Sequence, residues 1–284
     1  MTRDCSLMWK MPRNPLQLFC RLKPCALFGP TLIVAAHPDD EVVGAGAQLP
    51  KLQDPYILHV TDGAPANMAD AKAYGFRKRK DYAGARRREL VAAMEIAGVP
   101  PHRLIRAGKR DQGASFDLFG LTRILAGLIE EIRPSLILCH SYEGGHPDHD
   151  ATAFATHAAL RLLRREKIRE PVLLEFALYH AAPDGMAVFE FLHREKTPSM
   201  LLQLSEEERS LKHRMLECFR TQQAVLSAFP VAVELFRIAP ACDFTAPPHR
   251  GRLYYENFNW GIDGKTWRAL AAKALRELKL ASTI

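Results

Sequence analysis

Short apolar runs alternate with longer amphipathic stretches along the first two thirds of the chain. Residues 31–36 (TLIVAA) are apolar and β-branched, and predict a buried strand. A polar stretch, 37–41, follows, and the small-residue segment 42–52 reads as a helix lying close on a sheet. Residues 56–61 predict a second strand, 104–106 a weak third and 136–140 a fourth. Between them, 76–99 reads as a long helix with Leu90, Met94 and Ala97 on one face, ended by Gly98, Pro100 and Pro101. Residues 118–132 predict another helix, stopped at Pro134, and 151–165 a further one. Strands alternating with helices imply right-handed βαβ units. The expected fold is α/β and Rossmann-like, a mostly parallel sheet flanked by helices.

Further along, 171–179 and 186–192 look strand-like, and Ser205-Glu206-Glu207-Glu208 is a capping box opening a helix that runs to Val225. Residues 240–260 form a Pro- and aromatic-rich loop, and 265–280 an amphipathic helix. The expected organisation is one domain over 31–284 behind an N-terminal extension, 1–30, read as poorly ordered.

With 48% hydrophobic and 25% charged residues, the 284-residue chain has a globular composition, so wholesale disorder is excluded. The six cysteines form no C-x-x-C pair. A reducing, cytoplasmic setting fits. No apolar run approaches the roughly 20 residues of a membrane span. The net charge of +7 permits an anionic partner. A basic nucleic-acid-binding protein using the helix around 77–88 is therefore the rival from another class, although no RRM, KH or zinc-finger pattern supports it. No G-x-G-x-x-G follows the first strand, which argues against a dinucleotide enzyme.

The polar residues after the first and fourth strands carry the chemistry. They are His37-Pro38-Asp39-Asp40-Glu41 and His146-Pro147-Asp148-His149-Asp150. In a parallel sheet both loops open on the carboxyl edge, where such folds bind ligands. Two or three imidazoles with one carboxylate suit a catalytic divalent metal. Adjacent Asp39 and Asp40 point in different directions, so one can bind metal while the other addresses its water. Asp150 reads as an N-cap, His140 as a strand-end histidine and Cys139 as strand packing. Of the remaining histidines, His157 and His193 among them, none reads as a ligand. The basic run from Arg77 to Arg88 reads as a solvated face, Arg86 excepted. Tyr254, Tyr255, Phe258 and Trp260 fit a sugar pocket and tail packing equally well.

AAHPDDE (35–41) followed by GGHPDHD (144–150) resembles the PIG-L/LmbE-like zinc de-N-acetylase family. Arg86-Arg87-Arg88-Glu89-Leu90, Arg110-Asp111-Gln112-Gly113 and Arg220-Thr221-Gln222 are similar to further family segments, so the likeness covers about residues 31–225. The resemblance implies metal ligands His37, Asp40 and His149, and Asp39 as general base. It implies a protonated His146, oriented by Asp148, that stabilises the oxyanion or protonates the leaving amine. Arg86 and Asp111 match positions that grip sugar hydroxyls. The implied cofactor is Zn²⁺, with Fe²⁺ as the other candidate. The implied reaction removes an N-acetyl group from an N-acetylglucosamine-type sugar or conjugate, with a larger acyl or sugar-conjugate substrate as the alternative. The partner is then a small molecule, with no nucleic acid and no membrane span; oligomerisation is left open.

Overall fold

The computed structural model describes residues 15–21, 29–192 and 197–284. His193 and the remainder of the expected N-terminal extension lie outside the described residues. Within that extension, Pro15–Arg21 form α1, whose Leu16 and Phe19 are buried.

The elements follow in the order β1 (Thr31–Ala35), α2 (Asp40–Ala45), β2 (Pro55–Thr61), α3 (Ala69–Ala73), α4 (Arg79–Ile96), β3 (Leu104–Lys109), α5 (Leu118–Ile132), β4 (Leu136–His140) and α6 (Pro147–Arg165). Then come β5 (Val172–Phe176), β6 (Tyr179–Ala182), β7 (Gly185–Val188), β8 (Ser199–Gln203), α7 (Glu206–Glu217), α8 (Gln223–Leu226), β9 (Val233–Ile238) and α9 (Gly264–Leu278). Among the described residues seven strands make one sheet in the order β3-β2-β1-β4-β5-β9-β8. The first five are parallel, and β9 and β8 extend the sheet antiparallel. Apolar clusters fill both faces of this sheet. Among the described residues no helix is long and apolar enough to cross a membrane.

The α/β reading holds, and its departures have physical causes. The segment 42–52 is the short α2 followed by a turn containing Pro50. A methyl group at Gly44 would overlap the Phe176 ring, so α2 lies directly on the sheet. The helix expected to start at Ala151 starts at Pro147, where proline costs no hydrogen bond. Asp150 is therefore not its cap. Its Oδ1 instead accepts from the Glu143 and Gly144 amides and closes the preceding loop. The helix expected to run to Val225 ends at Glu217, because Glu89 captures Thr221 through its amide (3.0 Å) and hydroxyl (2.6 Å). The strands β8 and β9 escape the sequence pattern. β8 is a half-exposed edge, and β9 buries Glu234 and Arg237 among its apolar residues.

Two distant groups fasten the motif loops. Glu234 Oε1 accepts from the Ala47 amide at 2.8 Å, with Lys212 Nζ 3.1 Å from the same oxygen. Buried Trp267 of α9 donates its indole N–H to Pro147 O at 3.1 Å, holding the first turn of α6.

Candidate active site

β1 and β4 are neighbours in the sheet, in parallel register from Thr31↔Leu136 to Val34↔Cys139. The chain leaves β1 for strands on one side and β4 for strands on the other. This is the switch point at which open α/β sheets form a crevice. The two His-Pro-Asp loops meet there, and His37 Nε2 lies 3.3 Å from Asp148 Oδ2 although 111 residues separate them.

The Asp40 carboxylate sits between two imidazoles. Its Oδ2 is 3.2 Å from His37 Nδ1 and its Oδ1 is 3.4 Å from His149 Nε2. His37, Asp40 and His149 are all at most 9% exposed. Burial lowers the His149 pKa to about 4, so its ring is neutral. Burial alone would raise Asp40, but the His149 and His140 rings hold it well below the usual range. For His37 burial is likewise overcome: Asp111, with Asp148 and Asp40, keeps its pKa well above the ordinary value. Donor atoms meet here in overlapping sets, His37 with His146 and His149, and Asp40 with His140 and His149, and imidazoles with a carboxylate are the chemistry that suits a divalent cation.

Asp39 points elsewhere. Its backbone has φ 129°, a region that non-glycine residues enter only under constraint. Its amide donates to Glu41 Oε2 at 3.2 Å, and the same oxygen lies 2.9 Å from His59 Nε2. Arg86 Nη2 donates to Pro38 O at 2.6 Å and to Asp39 Oδ2 at 3.1 Å. Burial raises the Asp39 pKa to about 8, against the opposing Arg86 charge.

His146 Nδ1 accepts from the Asp148 amide at 3.1 Å, which leaves a neutral ring with its proton on Nε2. Burial and the charge of His37 push its pKa down to about 3. In this geometry Nε2 is the nitrogen free to donate into the cleft. Asp148 orients it through its backbone; the Asp148 carboxylate is 4.0 Å from Nδ1 and accepts instead from the Gln112 (2.6 Å) and Ala114 (3.0 Å) amides. Asp111 Oδ1 is 3.4 Å from His37 Nε2 and 3.9 Å from His146 Nε2.

All the sequence-predicted residues except Asp148 line one cleft of about 150 Å³. Asp148 is fully buried behind His37. Within the basic run Arg86 is 3% exposed and Arg77, Lys78, Lys80 and Arg88 are on the surface, but Arg79 donates to Asp62 and Arg87 to Leu104 O, so the solvated face is only partial. Tail aromatics divide too: Trp260 lies 4.7 Å from the His146 ring while Tyr255 is buried. His140 is more than a strand-end residue. Its Nε2 accepts from the Ala36 amide at 3.0 Å, stands 3.4 Å from Asp40 Oδ2, and its ring stacks on His149 at 4.1 Å. Its place at the end of the strand beside β1 was the available signal. Gln222 of the Arg220-Thr221-Gln222 segment also lines the cleft, as does Tyr179, which carried no motif signal.

The PIG-L family, described as GlcNAc-PI de-N-acetylase, matches residues 32–160. A probable N-acetyl-alpha-D-glucosaminyl L-malate deacetylase 2 of Bacillus anthracis is 34% identical over 159 residues, 54% of this chain and 69% of that protein. Among solved structures, the deacetylase of the A40926 pseudoaglycone superposes with a TM-score of 0.56 at 22% identity, over 73% of this chain and 96% of that one. The 4-carboxy-2-hydroxymuconate hydratase of Pseudomonas putida does so with 0.55 at 18% identity, over 75% and 97%. The fold is thus shared by proteins of different named activities, and the reaction has to be argued from the site.

Proposed function

Since the chain belongs to the PIG-L de-N-acetylase family, we propose that it is a metal-dependent amide hydrolase removing the acetyl group from an N-acetylglucosamine-type sugar or sugar conjugate. The observation that carries this reading is the division of labour between adjacent carboxylates. Asp40 lies between His37 and His149, while Asp39 is turned away onto Arg86 at the wall of the same cleft.

His37, Asp40 and His149 would hold the cation, of zinc type, with Fe²⁺ as the other candidate. When bound it supplies Lewis acidity and a water of lowered pKa. Asp39 accepts the proton of the attacking water and delivers it to the departing amine. His146 donates its Nε2 proton in a hydrogen bond to the carbonyl oxygen as negative charge grows there. Asp111 and Arg86 present an acceptor and a donor to sugar hydroxyls. The partner is a small molecule.

A second reading, a larger acyl group or an apolar aglycone, is favoured by the apolar part of the cleft lining. There Leu178, Val225, Leu226 and Phe229 stand together, and Val225 is 58% exposed.

A screen of N-acetylated sugars and conjugates, with acetate release and metal content measured on one preparation, tests the proposal. Acetate release from at least one glucosamine conjugate is expected. Full metal content without release from any of them would overturn it. Faster release of a long acyl chain than of acetate would favour the second reading.

A further inference from the structure

The helix that carries His149 also carries His157, eight residues on, which is about 12 Å along the axis. His157 turns inward beside Glu175 of β5 and Cys242 of the segment after β9. It is 6% exposed, and Glu175 and Cys242 are both 0% exposed. One donor atom from each, an imidazole nitrogen, a carboxylate oxygen and a thiol sulfur, lies within 4.8 Å of the others.

His157 Nε2 and Glu175 Oε1 are 3.6 Å apart. That exceeds the usual hydrogen-bond range of about 2.7–3.2 Å. Both atoms are buried, make no hydrogen bond of ordinary length and face each other as a long ion pair. The same distance suits two ligands of one ion: bonds of about 2.0–2.2 Å in a tetrahedron place nitrogen and oxygen about 3.3–3.6 Å apart.

We propose that His157, Glu175 and Cys242 form a second metal site, structural in role, for a thiophilic divalent cation of the zinc type. Imidazole and thiolate select such a cation over calcium or magnesium. The surroundings are built for it. Arg237 Nε donates to Glu175 Oε2 at 2.6 Å, which fixes the carboxylate and leaves Oε1 towards His157. The Arg237 charge is met in turn by Glu143 Oε1, 3.6 Å from Nη2. The ion therefore meets two anionic donors, a carboxylate and a thiolate, and one neutral one. A cavity of about 260 Å³ reaches His157 from outside, lined also by Pro240, Ala241 and Ile284, while Glu175 and Cys242 lie behind it.

Binding displaces the Cys242 thiol proton to solvent as the sulfur–metal bond forms. The ion then joins α6, β5 and the segment of Cys242. That segment is already paired to the last residue, since Cys242 and Ile284 exchange backbone hydrogen bonds of 2.8 and 3.0 Å. The site stabilises this corner and takes no part in turnover.

The test uses the full chain, purified in reductant, stripped of metal and reloaded with Co²⁺ or Zn²⁺. The set His37, Asp40 and His149 contains no sulfur, so a sulfur-to-cobalt charge-transfer band in the near ultraviolet comes from a thiolate, and its loss in Cys242→Ser assigns it to the second site. The wild type is expected to show this band and to hold about two zinc ions per chain. Cys242→Ser and His157→Gln are expected to hold about one, with deacetylation per folded chain unchanged and a lower Tm. Absence of the band at saturating Co²⁺ in the wild type would overturn the proposal, as would its survival in Cys242→Ser. Absence of the band from the wild type decides even if both variants fail to fold. Because this readout needs no substrate, its failure is distinct from failure of the hydrolase reading.

Discussion

Arg86 reaches from α4 to Asp39, 47 residues earlier in the chain, and donates to its Oδ2 at 3.1 Å. The contact ties a group matched to sugar binding to the proposed general base. The Arg86 charge lowers the Asp39 pKa against the burial that raises it to about 8. A base must be deprotonated to act, so activity rises with pH through the Asp39 pKa. Arg86→Gln removes the lowering charge and is expected to move this acid limb to higher pH. Arg86→Lys keeps the charge and the limb, but loses the guanidinium fork. Its kcat/KM is expected to fall about 10- to 150-fold, the worth of a charged hydrogen bond of roughly 1.5–3 kcal/mol. Rate–pH profiles of both variants, with Arg88→Ala as the exposed control, check this; an unmoved limb in Arg86→Gln would separate the two residues functionally.

Asp39→Asn changes the proton acceptor and leaves His37, Asp40 and His149 in place. Metal content is expected to stay at the wild-type level while turnover falls about 10² to 10⁴-fold. Ala at His37, Asp40 or His149 should instead remove the metal of this site and the activity together. Metal analysis beside kcat distinguishes the two classes, and metal loss in Asp39→Asn would reassign that carboxylate.

His146 is held as a neutral donor by the Asp148 amide, with its pKa near 3. Its titration therefore falls far below neutrality, and the wild-type profile is expected to show no alkaline limb from this ring. His146→Ala should lower kcat about 10² to 10³-fold, the worth of one oxyanion donor. His146→Gln, which keeps an N–H, should recover part of that loss. An alkaline limb that vanishes in both variants would show a cationic ring instead.

Metal uptake carries its own pH dependence. In the metal-free protein the surrounding carboxylates hold a proton on His37, raising its pKa well above the ordinary value. Ligation expels that proton, so binding strengthens as pH rises and levels off once the raised pKa is passed. Below it, affinity is expected to change about tenfold per pH unit. Titrations of the apo protein at several pH values, with proton release measured in two buffers, test the sign.

Much of this was legible in the chain. Parallel strands following apolar runs, and a loop motif repeated after the first and fourth of them, suffice to bring His37 and His149 together. What escaped did so where tertiary contacts override local pattern. Glu234 and Arg237 make β9 look polar, because their partners Lys212 and Glu175 lie elsewhere in the sequence. Thr221 ends a helix that its own neighbours would continue, because Glu89 binds it. His140 was legible only as a strand end, and it is the β1–β4 pairing that brings it within 3.4 Å of Asp40.

The hydrogen bond from the Ala47 amide to Glu234 spans 187 residues. It fastens the segment just beyond α2, whose first residue is Asp40, to a strand made late in synthesis. Until β9 docks, the end of α2 lacks this partner, and Lys212 lacks the carboxylate that it shares. A growing chain thus carries both His-Pro-Asp motifs long before the frame behind the first is complete. Pairings of such separation form late in folding. The order of synthesis therefore delays a fully braced first motif, and with it a settled metal site, until most of the polypeptide has emerged.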